Sequence, residues 1–119
     1  MDSGQISSIQ WCNPQLLVFD LKSNELIHNY RLPSNNYKAG ISVYTDMIAD
    51  VKSPKECQET KVYITDAWGH GLIVYNMLQN KSWRIEHDLM KPDRRYKTTA
   101  QDGIFTVSLS PKSNPLKGV

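Results

Sequence analysis

Apolar and polar positions along the chain occur in short blocks of the length of β-strands. Two segments, Leu16–Phe19 and Leu72–Tyr75, are continuously apolar, which indicates strands that are covered on both faces. Glu25–Leu32 and Ser82–His87 mix apolar residues with His, Arg and Glu, as expected of strands nearer to solvent. No window of about 11 residues or more has the apolar spacing of an amphipathic helix. The pattern therefore predicts an all-β chain.

The chain also contains an internal repeat. Leu16–His28 resembles Leu72–Arg84 at an offset of 56 residues: four apolar residues, then Asp or Asn, then a polar turn that contains Asn, then a further strand-like run. At the same offset, Asp46–Val51 matches Asp102–Val107 in its leading Asp and in its apolar third and sixth positions. A repeat of this length made only of strands predicts blades of a β-propeller, each a four-stranded antiparallel sheet.

This template divides the chain into five parts. The complete blade would consist of strands Val43–Val51, Val62–Asp66, Leu72–Tyr75 and Ser82–Glu86. The parts are a lead-in over 1–15, the last two strands of one blade over 16–32 (Leu16–Asp20 and Glu25–Leu32), the complete blade over 43–87, the inner strand of the next blade over 102–111, and a tail over 112–119. The chain is thus predicted to be a partial propeller.

Gly69-His70-Gly71 lies between two apolar runs and has three interpretations. A phosphate loop would need more glycines at fixed spacing and a helix behind them, but the residues that follow, Leu72–Tyr75, are β-formers. A metal corner would need further ligands at suitable spacing. Two strand-like runs joined by a short glycine-containing stretch are typical of a hairpin. We therefore expect a turn between the second and third strands of the complete blade.

Composition narrows the classes of function only slightly. The 119 residues are 39% hydrophobic, enough for a core, and the net charge of +2 is too small to indicate nucleic-acid binding. The basic cluster Lys91–Lys97 is interpreted as a solvated loop. No apolar run approaches the roughly 20 residues that a bilayer span needs. The first residues, Met1-Asp-Ser-Gly-Gln-Ile, lack the basic and apolar regions of a signal peptide.

Cysteine and histidine give no support for a metal site. Cys12 and Cys57 have no C-x-x-C spacing, and the three histidines are scattered. We expect His28, His70 and His87 to be turn or surface residues, and we expect no cofactor. Asn80-Lys81-Ser82 is an acceptor sequence for N-glycosylation. We expect Asn80 to be exposed on an outer turn between the third and fourth strands.

Several of these segments together resemble the yellow and major royal jelly protein family of insects. The resemblance extends roughly from Cys12 to Pro111. Its carriers, in chain order, are Cys12-Asn-Pro, Leu16-Leu-Val-Phe-Asp-Leu-Lys22, Tyr63-Ile-Thr-Asp66, Gly69-His-Gly-Leu-Ile-Val-Tyr75, Ser82-Trp-Arg84, Asp102-Gly-Ile-Phe105 and Leu109-Ser-Pro111. The family consists of secreted six-bladed propellers, so the resemblance implies about a third of one member and an extracellular location for a complete protein.

The resemblance implies two functional classes and leaves a third open. Family members in blood-feeding insects bind biogenic amines in the central channel, which needs a carboxylate for the ammonium and an aromatic face for the ring. Asp46 and Asp102, expected to begin inner strands near the channel mouth, and Phe105 are the candidates. Alternatively, the two Asp residues cap turns or strand ends and Phe105 is a core residue. The implied partner is an amine or a catechol-derived molecule bound by the complete propeller.

The second class is an enzyme, because other family members are associated with dopachrome conversion. A tautomerase needs a base beside the carbon that loses its proton, and no Ser/His/Asp order, histidine cluster or carboxylate pair identifies a catalytic residue. The third class is a nutritive or structural secreted protein, which requires no site.

The missing blades have consequences for cysteine pairing and for stability. In the family the cysteine before the Pro-containing turn pairs with an upstream one, so Cys12 and Cys57 are not expected to pair with each other. One blade with partial neighbours leaves strands such as Leu16–Phe19 without full cover. We therefore expect these 119 residues alone to associate or to be partly disordered, and to show neither an amine pocket nor turnover.

Overall fold

The computed structural model describes residues 1–55 and 57–93, and these residues form eight β-strands. In chain order the strands are β1 (Gln5–Ile6), β2 (Ile9–Gln10), β3 (Gln15–Phe19), β4 (Leu26–Arg31), β5 (Tyr44–Asp50), β6 (Lys61–Asp66), β7 (Gly71–Asn76) and β8 (Lys81–Glu86). Three short 3₁₀ turns lie at Ser34–Asn36, Cys57–Glu59 and Asp88–Met90. No α-helix occurs in the described residues, none of whose helical segments is long and apolar enough to cross a membrane. The all-β prediction is confirmed.

Strands β5 to β8 form one antiparallel sheet in the order β5-β6-β7-β8. Their bounds agree with the predicted strands to within one residue at each end. Residues 67–70 form the turn between β6 and β7, where Asp66 pairs with Gly71 and His70 has a φ of 55°. The predicted four-stranded sheet and the predicted turn are both confirmed.

The first part of the chain forms two separate hairpins. Strands β3 and β4 pair with each other in register from Gln15 opposite Arg31, and β1 pairs with β2. The β1–β2 hairpin lies in the segment 1–15 that the sequence left without strands. Its turn residues, Ser7 and Ser8, have φ angles of 50° and 64°, as a two-residue hairpin turn requires. Serine gives a weaker signal for this geometry than the Asn-Gly or Asp-Gly pair on which sequence reasoning depends.

The hydrophobic core lies between the β3–β4 hairpin and the four-stranded sheet. Its buried members are Leu16, Leu32, Val62, Ile64, Ile73 and Tyr75. The ring of Tyr30 lies 4.4 Å from the ring of Tyr75 between centroids, and the Tyr30 hydroxyl is 3.0 Å from Ser82 Oγ. The two sheets therefore share one core within the compact unit Met1–Glu86.

The apolar run Leu16–Phe19 indicates a strand suited to cover on both faces, but most of it lacks that cover here, as expected of a blade with partial neighbours. Leu16 is 2% exposed, but Leu17 and Val18 are only half-buried and Phe19 is 51% exposed. In β7, by contrast, Ile73 and Tyr75 are fully buried. Among residues 1–55 and 57–93, β7 has a strand on each side, whereas β3 is paired along its length with β4 alone.

Both cysteines are free and exposed, which agrees with the expectation that they do not pair with each other. His28 departs from its expected surface or turn position, because it is half-buried in β4 and its Nε2 lies 2.6 Å from the Tyr75 hydroxyl. His87 precedes the 3₁₀ turn Asp88–Met90 and accepts a hydrogen bond from the Leu89 N–H at 3.1 Å. The assignment of the four-stranded sheet to a propeller blade, and the division of the chain that depends on it, stay predictions.

Candidate functional site

The start of β5 is irregular and directs two chemically distinct side chains into one cleft. Tyr44 pairs with Asp66 and Asp46 pairs with Thr65, so Thr45 is an extra residue on the β5 side. Such a bulge re-aims side chains and occurs often beside functional sites. The Thr45 and Thr65 hydroxyls are 3.1 Å apart, which connects the bulge to β6. Asp46 is the third residue of β5, which begins at Tyr44.

The cleft beside this bulge has a volume of about 240 Å³. Met1, Tyr44, Thr45, Asp46, Met47 and Ile64 line it. Asp46 is exposed and accepts a hydrogen bond from the Met47 N–H through Oδ1 at 2.8 Å. A carboxylate accepts several hydrogen bonds, so this contact leaves Asp46 able to pair with a cation. A larger cavity of about 600 Å³ is lined by Lys55, Cys57, Gln58, Glu59 and Leu78, and none of these described residues is aromatic.

A buried ion pair lies behind the cleft and fixes the chain that enters β5. The side chains of Asp66 and Arg84 are 0% and 8% exposed, and Arg84 Nη1 donates to Asp66 Oδ2 at 2.8 Å. Asp66 also accepts from Ser42 Oγ at 2.5 Å and from the Val43 N–H at 2.9 Å. A buried charge is tolerated only when it is paired and hydrogen-bonded. The end of β6, the middle of β8 and the residues before Tyr44 are therefore held at one point.

The turn between β6 and β7 completes this arrangement. The Gly69 N–H donates to Asp66 Oδ1 at 2.8 Å, and the Gly69 carbonyl accepts from Arg84 Nη2 at 2.7 Å and from Lys38 Nζ at 2.8 Å. A Cβ at Gly69 would collide with the Asp66 carboxylate and lie 2.6 Å from Arg84 Nη2. Gly69 is therefore required because two side chains approach its backbone closely, and not for binding a phosphate.

Arg84 and the carboxylates that contact it stabilise each other's ionised forms. Burial alone would lower the pKa of Arg84, but its hydrogen bonds to Glu86 and Asp66 outweigh burial and hold that pKa above its usual value. The pKa of Glu86 is lowered by its hydrogen bonds from Arg84 and from Lys38. Arg84 Nε donates to Glu86 Oε1 at 2.6 Å. Opposite charges at hydrogen-bond distance favour the charged forms of both partners.

The hydroxyl of Tyr44 is buried close to this ion pair. Among residues 1–55 and 57–93 no group makes a well-formed hydrogen bond with it, although the Ser42 side chain lies close enough to oppose part of the rise in its pKa. Burial raises the pKa of Tyr44 well above its ordinary value, and the negative charge of Asp66 raises it further. Tyr44 is therefore a neutral phenol at any physiological pH, and it offers the cleft a ring and not a charge.

The remaining candidates from the sequence are distributed as follows. Asp102 and Phe105 lie outside the described residues. Asn80 is exposed in the turn between β7 and β8, as expected, and has a φ of 50°. Its Oδ1 accepts a hydrogen bond from the Tyr75 hydroxyl at 2.9 Å. The exposed turn is thus connected to the buried core through Tyr75.

Sequence reasoning missed the residues that support the cleft. Asp66 and Arg84 ended two of the motifs that carry the family resemblance, Tyr63-Ile-Thr-Asp66 and Ser82-Trp-Arg84, but nothing in either motif alone indicated a partner. An Asp at a strand end immediately before a glycine-containing turn was the available signal. In the part of the chain that the structure describes, no group of three or more His, Cys, Asp or Glu side chains could hold a metal ion.

The sequence of this chain is similar to a family model and to several known proteins. The family model described as "Major royal jelly protein" matches residues 1–117. Dopaminechrome tautomerase of Drosophila melanogaster is 33% identical over 92% of this chain and 26% of its own length. Major royal jelly protein 6 of Apis mellifera is 33% identical over 98% of the chain and 29% of its own length. Yellow-related salivary protein LJM111 of Lutzomyia longipalpis is 31% identical over 86% of the chain and 28% of its own length.

The chain therefore spans between a quarter and a third of the length of these relatives. The match to the family nonetheless covers nearly every residue and includes the segments that form β3, β6, β7 and β8. The chain belongs to the major royal jelly protein family.

Proposed function

We propose that this chain is one part of a secreted β-propeller that binds a small aromatic amine, and that the cleft at the start of β5 forms one wall of the binding site. The observation that carries the proposal is the position of Asp46 and Tyr44 in one cleft. A carboxylate pairs with the ammonium group of an amine, and aromatic and apolar side chains cover its ring. Asp102 and Phe105, the other candidates from the sequence, lie outside the described residues, so the proposal rests on Asp46 and Tyr44.

The wall formed by β5 alone should bind weakly. Asp46 is exposed, and an exposed ion pair contributes at most about 1 kcal/mol. The cleft of about 240 Å³ is also smaller than a typical site for a ligand of this size, which encloses roughly 300–1,000 Å³. Affinity comparable with that of a complete binding protein would need further walls.

The experiment is a titration of the isotope-labelled chain with dopamine, followed by two-dimensional NMR. Saturable shifts centred on the Tyr44, Asp46 and Met47 amides are expected, with a dissociation constant on the order of 1 mM or weaker, since the exposed ion pair contributes at most about 1 kcal/mol. Asp46→Asn keeps an acceptor for the Met47 N–H and removes the charge, so it should raise the dissociation constant by up to about fivefold. Asp50→Asn, at the other end of the same strand, is the matched control.

Two results would contradict the binding proposal. One is an equal response in the Asp46→Asn variant and the unchanged chain, and the other is a set of shifts centred away from β5. Catechol, which has the ring but no ammonium, should bind more weakly than dopamine, because the proposed ion pair requires the cation.

A second candidate is a tautomerase that acts on an aminochrome. The similarity to Dopaminechrome tautomerase, over 92% of this chain, favours it. Among the lining residues, Asp46 is the one carboxylate and no histidine is present, so Asp46 would have to act as the base. The test is the decay of dopaminechrome absorbance with the chain, with Asp46→Asn and with buffer. Turnover that requires Asp46 would favour this candidate over simple binding.

An extracellular location and glycosylation at Asn80 are part of the same proposal. They are supported by the exposed position of Asn80 and by relatives that are named as salivary proteins. When the chain is directed into the secretory pathway of insect cells, it should gain a glycan that an N-glycosidase removes. Asn80→Asp, which keeps an acceptor for Tyr75, should not gain one. An unmodified Asn80 in the secreted chain would contradict this part of the proposal.

A further inference from the structure

The acceptor triplet Asn80-Lys81-Ser82 belongs to a closed hairpin, and its first and third residues have different environments. Asn80 is exposed in the turn between β7 and β8. Ser82 is half-buried in β8 and pairs with Tyr75 of β7, and Lys81 pairs with Asn76. An enzyme that glycosylates Asn must bind the whole triplet, because the hydroxyl at the third position defines the acceptor. The accessible Asn is therefore joined to a hydroxyl that the fold already holds.

The Ser82 hydroxyl connects the four-stranded sheet to the first part of the chain. Asn36 Nδ2 donates to Ser82 Oγ, and Asn36 is 2% exposed. The Tyr30 hydroxyl lies 3.0 Å from the same oxygen. A serine hydroxyl has one donor and two acceptor positions, so these contacts occupy two of the three. To enter the active site of an enzyme, Ser82 would have to lose both contacts and leave the buried Asn36 amide without this partner, which is costly.

The Asn80 side chain, by contrast, can carry a glycan without losing its contact with the core. Its Oδ1 accepts from the Tyr75 hydroxyl at 2.9 Å, and that hydroxyl lies 2.6 Å from His28 Nε2. A glycan is attached through the side-chain nitrogen, Nδ2, so Oδ1 stays available to Tyr75. The folded structure therefore accommodates the product of glycosylation but resists the reaction itself.

We propose that Asn80 is glycosylated before the β7–β8 hairpin closes, and that Ser82, once bonded to Tyr30 and Asn36, withholds the triplet from the transferase. The inference rests on the proposed secretion and glycosylation of this chain. The donor is an oligosaccharide linked to a polyprenyl diphosphate. The bond from sugar C1 to the diphosphate oxygen breaks, a bond from C1 to Asn80 Nδ2 forms, Nδ2 loses one proton to a base, and the lipid diphosphate leaves. Folding and transfer then compete for each new chain.

The test measures glycan transfer to the full chain, folded beforehand, by oligosaccharyltransferase solubilised from insect microsomes with its lipid-linked donor. A mobility shift that an N-glycosidase reverses reports transfer, and circular dichroism records the fold of each variant. The unchanged chain should react slowly. Asp66→Ala removes the partner of a buried charge at a distance from the triplet. It should react at least about tenfold faster, because transfer follows the population of the open chain.

A pair of tyrosine variants separates the Ser82 hydroxyl from the rest of the core. Tyr30→Phe removes one of the two partners of that hydroxyl and keeps the ring beside Tyr75, so transfer should accelerate roughly two- to tenfold. Tyr37→Phe removes a hydroxyl from another tyrosine that packs against the same core. This control should leave the rate unchanged.

The equivalent turn of the first hairpin provides a matched acceptor. Asn24 has a φ of 58° and corresponds to Asn80 at the offset of 56 residues. Glu25→Lys with Leu26→Ser places the same triplet in that turn, where Leu26 is 49% exposed. The chain also carries Asn80→Asp, which keeps an acceptor for Tyr75. Transfer to Asn24 should be about tenfold faster or more than transfer to Asn80 in the unchanged chain, since the exposed position leaves the new hydroxyl accessible.

Three results would overturn the inference. Equal rates for the unchanged chain and Asp66→Ala would show that the fold does not withhold Asn80. Equally slow transfer at Asn24 and Asn80, in chains that circular dichroism shows to be folded, would assign the protection to hairpin pairing and not to the Ser82 hydroxyl. A chain that gains no glycan in any variant, Asp66→Ala included, would overturn the proposed glycosylation as well, whereas the first two results leave that proposal intact.

Discussion

Two hairpins of this chain have closely similar sequences and very different environments. Leu16–His28 and Leu72–Arg84 align residue by residue at an offset of 56. In both, an Asn in the turn adopts a left-handed conformation, with φ of 58° at Asn24 and 50° at Asn80. However, Tyr75 is 0% exposed, whereas Phe19, at the equivalent position, is 51% exposed. The same local pattern therefore yields a central strand in one place and an open edge in the other.

The difference lies in the neighbours that each hairpin has. Strand β7 is hydrogen-bonded to β6 and to β8, and the β3–β4 hairpin covers one of its faces through Tyr30. Within the part of the chain that the structure describes, strand β3 is paired with β4 and otherwise only with Asp2. A continuous apolar run thus indicates that a strand is suited to burial. Whether the strand is buried depends on segments that are distant in the sequence.

The largest expected effect comes from truncating the equivalent aromatic residues. Tyr75→Ala should lower the free energy of unfolding by about 3–5 kcal/mol, the usual cost of removing a buried aromatic side chain. Phe19→Ala should cost about 1 kcal/mol or less, since the side chain is half in solvent. Urea unfolding followed by circular dichroism measures both. If Tyr75→Ala does not fold, Tyr75→Phe, which keeps the ring, replaces it in the comparison. Equal losses at the two positions would show that the first hairpin is covered in solution.

Asp20 and Asp66, two carboxylates at turns, allow the exposed and buried regions to be compared again. Asp20 accepts from the Lys22 and Ser23 N–H groups at 2.7 and 3.1 Å in a solvent-accessible turn, so Asp20→Ala should destabilise the chain much less than the change at Asp66. Asp66→Ala leaves Arg84 buried without its partner, which should cost about 3–5 kcal/mol. Chemical denaturation of both variants is the measurement. A double variant Asp66→Ala with Arg84→Met should be more stable than Asp66→Ala alone, and a further loss would contradict the buried-pair argument.

The two left-handed Asn residues should differ by a smaller amount. Glycine adopts positive φ without strain, so Asn24→Gly should change stability by less than about 0.5 kcal/mol. Asn80→Gly also removes the acceptor for the Tyr75 hydroxyl, which should cost about 1–2 kcal/mol. Thermal unfolding of the paired variants separates the effect of the backbone from that of the hydrogen bond. If both changes are neutral, the Tyr75–Asn80 bond contributes nothing to stability.

The smallest expected effect is on the alkaline limit of stability. Burial and the negative charge of Asp66 raise the pKa of Tyr44 above its ordinary 10.0. The stability that the neutral Tyr44 phenol contributes is therefore complete below pH 10, and it is lost as the pH rises from there towards the folded-state pKa. Tyr44→Phe cannot ionise at this position, so it should lose less stability between neutral and alkaline pH. At pH 10.5 its loss should be smaller than that of the unchanged chain by less than about 1 kcal/mol. Stability measured at pH 8.0 and 10.5 in the variant and the unchanged chain gives the comparison. Burial also raises the pKa of Tyr75, so some alkaline loss should persist.

Much of the fold could be predicted from the sequence, whereas little of the candidate site could. The six main strands follow from period and composition, because apolar runs bounded by turn residues specify strands locally. The β1–β2 hairpin was missed because Ser7 and Ser8 are weak turn signals. Asp46 was found as a candidate, but the bulge at Thr45 beside it was not predicted because a bulge has no clear sequence signal. The assembly of Asp66, Arg84 and Ser42 was missed because these residues are far apart along the chain.

The sequence by itself determined that the chain is all-β, that Gly69-His70-Gly71 lies at a hairpin turn, and that the chain resembles the yellow and major royal jelly proteins. These are properties of local patterns, which propensity and turn chemistry decide within a few residues. The tertiary structure alone decided that Asp66 and Arg84 pair in a buried site, that Tyr44 and Asp46 share a cleft, and that Phe19 is exposed where Tyr75 is buried. Burial and hydrogen-bond pairing depend on which distant segments meet. Two segments with the same apolar pattern, such as β3 and β7, therefore acquire different environments when, among the described residues, only one of them has a strand on both sides.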